Sequence, residues 1–87
     1  MDLNGKRFEI DRIDEKIVGL LGRRAEIAIE IGREKKANGK SLQDAEREED
    51  VLQRIGELNK GPMSDLALLS IYRAIISACL DLQKRDT

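Results

Sequence analysis

Near the start of the chain the register 7, 10, 14, 17, 21, 24, 28, 31, 35 reads Arg7, Ile10, Asp14, Ile17, Leu21, Arg24, Ala28, Ile31 and Lys35. Alternating steps of three and four mark the buried seam of a helix, and Arg24 stands in this one among Leu21, Ala28 and Ile31. A cation on an apolar line has two readings. Its stem packs while its head snorkels to water or pairs with a carboxylate. Alternatively the seam is a ligand pocket, and a bound anion offsets a charge that is otherwise costly to bury.

Spacing decides which cations can share a ligand. Arg24 and Lys35 are eleven residues apart, about 16 Å along a helix, which two long side chains leaning together nearly bridge around a small molecule. Arg7 lies seventeen residues before Arg24, about 25 Å, which is too far. If Arg7 joins the same site, it comes from a second copy of the chain. Polar residues on apolar lines recur further on. Glu48 lies one turn before Val51, Leu52 and Ile55, so it points inward more than Glu46 or Glu49. Gln83 ends the line Tyr72, Ile76, Cys79. Within SLQDAEREED, Asp44 suits an N-cap or first-turn acid, while Glu46, Glu49 and Asp50 face water. The constellation of Arg7, Arg24, Lys35, Asp44, Arg47, Glu48 and Gln83 is more specific than any one of its members.

Composition narrows the chemistry. With 16 Lys+Arg against 17 Asp+Glu and a net charge of −1, no broad basic face for nucleic acid is forced, and any cationic site is local. The chain has no His and a single Cys, which excludes the usual zinc ligand sets, a His general base and an intrachain disulfide. Neither metal nor cofactor is expected. An unpaired thiol suits a reducing cytoplasm. No apolar run approaches the roughly 18 to 20 residues that span a bilayer, and Met1-Asp2-Leu3-Asn4 does not begin a signal peptide. The expectation is a soluble, cytoplasmic protein without nucleic-acid or membrane partners.

The elements that must position these residues are helices. Ile10, Ile13, Ile17, Leu20, Leu21, Ile27, Ala28 and Ile31 predict one long amphipathic helix over about 6 to 36, stopped by Asn38-Gly39. A second run, Ala45, Val51, Leu52, Ile55 and Leu58, ends at Gly61-Pro62. A third opens at Ser64 as N-cap and carries Leu66, Leu69, Tyr72, Ile75, Ile76, Cys79 and Leu80. The 87 residues therefore form a single all-α domain, 1–87, with one long helix and two shorter ones. The long helix is out of scale. Roughly 30 residues make a rod of about 45 Å, whereas a compact globule of this length is about 31 Å across, with a radius of gyration of about 12 Å. Its apolar stripe runs the whole length, so the protruding half needs a cover, and a second copy supplies one. An intertwined homodimeric helical bundle is expected. Gly19, Gly22 and Gly32 each weaken the long helix by about 1 kcal/mol relative to Ala, which close helix approach would explain.

The stretch RFEIDRIDEKIVGLLGRRAEIAIEIGREK, the D-x-x-R-E element in DAERE, and IYRAIISACLDLQ together make the sequence resemble the all-helical, type II class of chorismate mutase. These segments cover most of the chain in the family's order and spacing. The resemblance implies that Arg7 is the arginine contributed across subunits and Arg24 the arginine of the subunit's own helix. It makes Lys35 the lysine at the substrate ether oxygen, Gln83 the glutamine on its other side, and Glu48 the partner of the substrate hydroxyl. Asp44 and Arg47 complete the D-x-x-R-E element of the substrate-binding set. Where the family usually has Ser, this chain has Cys79, whose thiol donates weakly.

Chorismate is a small dianion, and its rearrangement to prephenate, on the route to phenylalanine and tyrosine, is concerted and intramolecular. It requires no nucleophile, metal or redox group, so a chain without His is suited to it. The resemblance thus implies Arg24, Lys35, Glu48 and Gln83 as catalytic residues. Two other readings stand beside it. Isochorismate-pyruvate lyase uses the same scaffold, but Glu48 favours the mutase, since such lyases typically have an apolar residue there. A non-catalytic helical dimerisation or regulatory module leaves Arg24 and Glu48 at inward positions unexplained.

Overall fold

The computed structural model describes residues 2–86, which form α1 (Leu3–Ala37), α2 (Ala45–Leu58) and α3 (Asp65–Arg85). Local chemistry accounts for most of the boundaries. At the end of α1, Gly39 adopts φ 67°, a left-handed conformation that glycine takes without penalty. This lets Gly39 N–H donate to Lys36 O at 3.1 Å and Lys40 N–H to Lys35 O at 2.8 Å, satisfying two of the helix's last carbonyls. The Asp44 carboxylate accepts from Arg47 N–H at 3.0 Å and caps α2. Ser64 Oγ accepts from Ala67 N–H at 3.2 Å and caps α3. Between these helices Asn59 ties the connector: its amide donates to Met63 O and Asp65 Oδ1, and its carbonyl accepts from Gly61 N–H.

The start of α1 is the boundary the periodicity misses. The helix begins at Leu3 instead of near residue 6, and Asp2 precedes it without a side-chain cap bond. Asp2 is of a type that caps helices, but the apolar periodicity that predicts the helix begins only beyond it.

Helix α3 packs on both α1 and α2, while α1 and α2 do not meet at backbone level. The molecule is long and thin, 57 × 25 × 15 Å, with a radius of gyration of 16.0 Å, well above the roughly 12 Å of a compact chain of this length. Its small core lies at one end of α1, where Ala28 and Gly32 are buried against Cys79 and Gln83 of α3. Gly32 is the contact that sets this approach. A Cβ there would stand 2.8 Å from Gln83 Cγ and 3.0 Å from Gln83 Cβ, closer than side chains tolerate. Gly19 and Gly22 differ, since a Cβ on either meets nothing within 4 Å in the single chain.

Towards its N-terminus α1 is left bare by the described residues of its own chain. Leu3, Phe8, Ile10, Ile13, Ile17, Val18 and Leu20 are all exposed, Leu20 at 70%. No helix among the described residues is long and apolar enough to cross a membrane.

Candidate active site

A cavity of about 280 Å³ opens where the second half of α1, the first turns of α2 and the second half of α3 converge. From α1 it takes Arg24, Ile27, Ala28, Ile31 and Lys35; Leu42 and Asp44 come from the connector, Arg47, Glu48 and Val51 from α2, and Ile76, Cys79, Leu80 and Gln83 from α3. Seven of the eight site residues expected from the sequence line this one space: Arg24, Lys35, Asp44, Arg47, Glu48, Cys79 and Gln83. Arg7 does not. It lies on the exposed half of α1, outside the cavity lining.

Each polar side chain is held by a definite partner or is left free. Arg24 is half-buried and Nη1 donates to Cys79 Sγ at 3.3 Å. This contact uses one of the five N–H donors of a guanidinium. Lys35 Nζ donates to Leu42 O at 3.2 Å, which fixes the ammonium beside the connector and leaves further donors. Among the described residues Arg24, Lys35 and Arg47 make no ion pair. The reading in which Arg24 pairs with a carboxylate of its own chain is thus not realised.

Gln83 is buried, and Nε2 donates to Ala28 O at 2.7 Å. Because a backbone carbonyl only accepts, this contact fixes which end of the amide faces α1, and it leaves the second N–H of the amide unspent. The Asp44 carboxylate is engaged in capping α2. That cap, with Glu48 N–H donating to Asp44 O at 3.0 Å, sets the first turn of α2 and so the direction of Arg47 and Glu48. Glu48 is half-buried, while Glu46, Glu49 and Asp50 are exposed.

Sequence reasoning did not find the backbone partners. Ala28 O and Leu42 O orient the two donors Gln83 and Lys35, and a carbonyl carries no residue-type signature. Gly32 was legible from its cost in a helix interior, and the close approach expected there is that of Gln83. The apolar lining of Ile27, Val51 and Leu80 was legible as helix periodicity but not as pocket wall.

In charge the cavity is unbalanced. Arg24, Lys35 and Arg47 face two carboxylates, Asp44 and Glu48, so it has a cationic surplus of one. Such a surface receives an anion, offers it donors that need no deprotonation, and walls it with aliphatic side chains.

Residues 6–84 match the family of type II chorismate mutases. The bifunctional chorismate mutase/prephenate dehydratase of Aquifex aeolicus (strain VF5) is 44% identical over 88 residues, covering 97% of this chain and 24% of that protein. Its namesake from Stutzerimonas stutzeri is 39% identical over 87 residues, 94% of this chain and 24% of that protein. The chain thus spans about a quarter of the length of the curated relatives it matches. Among solved structures, chorismate mutase (form II) from Thermus thermophilus superposes with a TM-score of 0.94 at 34% identity, covering 98% of each chain.

Proposed function

The chain belongs to the type II chorismate mutase family and is a chorismate mutase domain; we propose that it works as an intertwined homodimer with two sites, each completed by Arg7 of the other copy. The observation that carries this reading is the cavity, which gathers three cations without an ion pair among the described residues, one half-buried acid and one fixed amide donor. A fourth cation from the partner's Arg7 raises the surplus to two, the charge of chorismate.

The roles follow from the reaction. The enolpyruvyl side chain must be held over the ring, and two arginines on the two carboxylates, Arg24 and the partner's Arg7, restrict it to that geometry. As the C–O bond lengthens, negative charge gathers on the ether oxygen. Lys35 and the unspent N–H of Gln83 are donors for it, and in a walled site such donors stabilise the transition state more than the ground state. Glu48 accepts the ring hydroxyl, and its own charge helps orient Lys35. Arg47 adds positive potential, Asp44 sets the turn that carries both, and Cys79 steadies Arg24. No group on the protein gains or loses a proton.

The apolar half of α1 supports the dimer. An exposed stripe from Leu3 to Leu20 is larger than a lone soluble chain usually leaves uncovered, and the spacing of Arg7 from Arg24 means that, if Arg7 joins the site, it comes from a second copy. The test is an assay of chorismate loss and prephenate formation by the purified chain, with its mass in solution measured alongside. Turnover by a species of twice the chain mass is expected. A monomer at full activity would exclude the shared site, and release of salicylate and pyruvate from isochorismate in place of prephenate formation would exclude the mutase reading.

A further inference from the structure

The last turn of α3 contains a conflict. Gln83 is only two residues from the final helical residue, Arg85, in the part of a helix that frays first. Asp86 then takes the C-cap position, where a negative charge meets the negative end of the helix dipole. A donor that must hold a fixed direction thus stands in a turn whose own cap works against it.

Helix α1 resolves the conflict. Arg33 Nε donates to Asp86 Oδ2 at 2.9 Å and Arg33 Nη2 to Asp86 Oδ1 at 3.0 Å, a two-point grip that fixes orientation as well as distance. Lys36 Nζ donates to the backbone carbonyl of the same residue. Asp86 N–H meanwhile closes the helix on Leu82 O at 3.0 Å. The last turn of α3 is therefore fastened to α1 at two levels, by Gln83 on Ala28 and, one turn later, by Asp86 on Arg33 and Lys36.

We propose that Asp86, gripped by Arg33 and Lys36, is a positioning residue for Gln83: it keeps the last turn of α3 wound so that the amide stays aimed at the reacting oxygen. The proposal rests on the mutase reading of the cavity. The groups that face the Asp86 carboxyl are Arg33 and Lys36 of α1, with Glu30 beside Arg33. The hydrogen bond from Arg33 holds that carboxyl below its ordinary value, so the grip is ionised at neutral pH.

The test separates positioning from bulk stability. Asp86→Ala is expected to lower kcat about two- to fivefold, the scale of an exposed ion pair. KM should stay nearly unchanged, because the Gln83 bond strengthens only as charge develops in the transition state. Arg33→Asp and Asp86→Arg should each lower kcat, and the double variant should restore it. In a Gln83→Ala background Asp86→Ala should have no further effect, since two residues acting through one contact are not additive. Unchanged kcat in Asp86→Ala, or the same fold-loss with and without Gln83, overturns the proposal. Wild-type chain without prephenate formation fails the mutase reading and takes this proposal with it; active wild type with silent Asp86 variants fails the grip alone.

Discussion

The two halves of α1 have the same apolar spacing and opposite fates. Beyond Arg24 the helix has a neighbour: Ala28 and Gly32 are buried, α3 lies against them, and the cavity forms beside the contact. Before Leu21 it has none, and the apolar residues from Leu3 to Leu20 are exposed. Glycines sharpen the contrast. Gly32 is explained within the chain by the approach of Gln83, whereas Gly19 and Gly22 meet nothing within 4 Å although each costs the helix about 1 kcal/mol relative to Ala. Amphipathicity therefore marks a face suited to burial but does not say what covers it. The half packed within the chain lines the cavity, and the bare half carries Arg7, the cation proposed to complete it from a second copy.

The largest expected effects lie in the packed half. Arg24→Ala and Lys35→Ala should each lower kcat/KM by about 10²- to 10³-fold, the usual loss of a donor aimed at developing charge or of an orienting cation. Both variants should keep the oligomeric mass of the wild type, since neither residue makes an ion pair among the described residues. Wild-type turnover in either would move the site away from this cavity.

A comparable loss is expected from Arg7→Ala in the bare half, and it allows a test that joins the halves. Mixed with Lys35→Ala and allowed to exchange subunits, Arg7→Ala should regain activity, because one of the two sites in each mixed dimer then has both Arg7 and Lys35. Random exchange of equal amounts of a symmetric dimer gives about a quarter of wild-type activity. If the mixture stays as inactive as its components, Arg7 does not act across subunits.

What the sequence made legible follows the same division between local and distant. Stops and caps depend on a few adjacent residues, so Asn38-Gly39, Asp44 and Ser64 could be read, as could the inward turn of Arg24 and Glu48. Contacts made by backbone oxygens could not, since Ala28 O and Leu42 O look like any other carbonyl. Arg33 and Asp86 are separated by 53 residues, and two charges on polar faces read as solvated. In the predicted seam from Arg7 to Lys35 only Ala28 is buried within the chain: Arg24, Ile31 and Lys35 border the open cavity, and Arg7, Ile10, Asp14, Ile17 and Leu21 are exposed.

Gln83→Glu tests the packed half more finely. A carboxylate there would set an oxygen against Ala28 O, where the amide nitrogen now donates at 2.7 Å. Two acceptors at that distance repel, and burial adds to the cost of the charge, so the new carboxyl should titrate above the ordinary range. At neutral pH the variant should be about 10²-fold slower and should accelerate on acidification, as the protonated acid regains a donor. A flat pH profile would remove Gln83 from the chemistry. Gly32→Ala should have a smaller effect on rate, since the added Cβ would stand 2.8 Å from Gln83 Cγ and α3 or the Gln83 side chain would have to shift. A loss of about 1 to 3 kcal/mol in stability is expected from such overpacking, read as a lower urea midpoint. Gly32→Ala with an unchanged midpoint would mean that α3 has room to shift.

The smallest effect is the pH dependence of the grip at the end of α3. Asp86 is held below its ordinary value of 3.8 by the hydrogen bond from Arg33, with the charges of Arg33 and Lys36 adding to it. A carboxyl with a depressed folded value stabilises the fold above its unfolded value and loses that contribution as pH falls through the folded one. Arg33 is shifted upward by the same partner, so its share persists across the working range and is lost only in strong base. Comparing thermal midpoints of wild type and Asp86→Asn, the difference should therefore be constant from neutral pH down to about 4 and should close below that. Because the pair is exposed to solvent, salt near 1 M should also shrink it. A gap that persists in acid or in high salt would mean that Asp86 stabilises the last turn through something other than its charge.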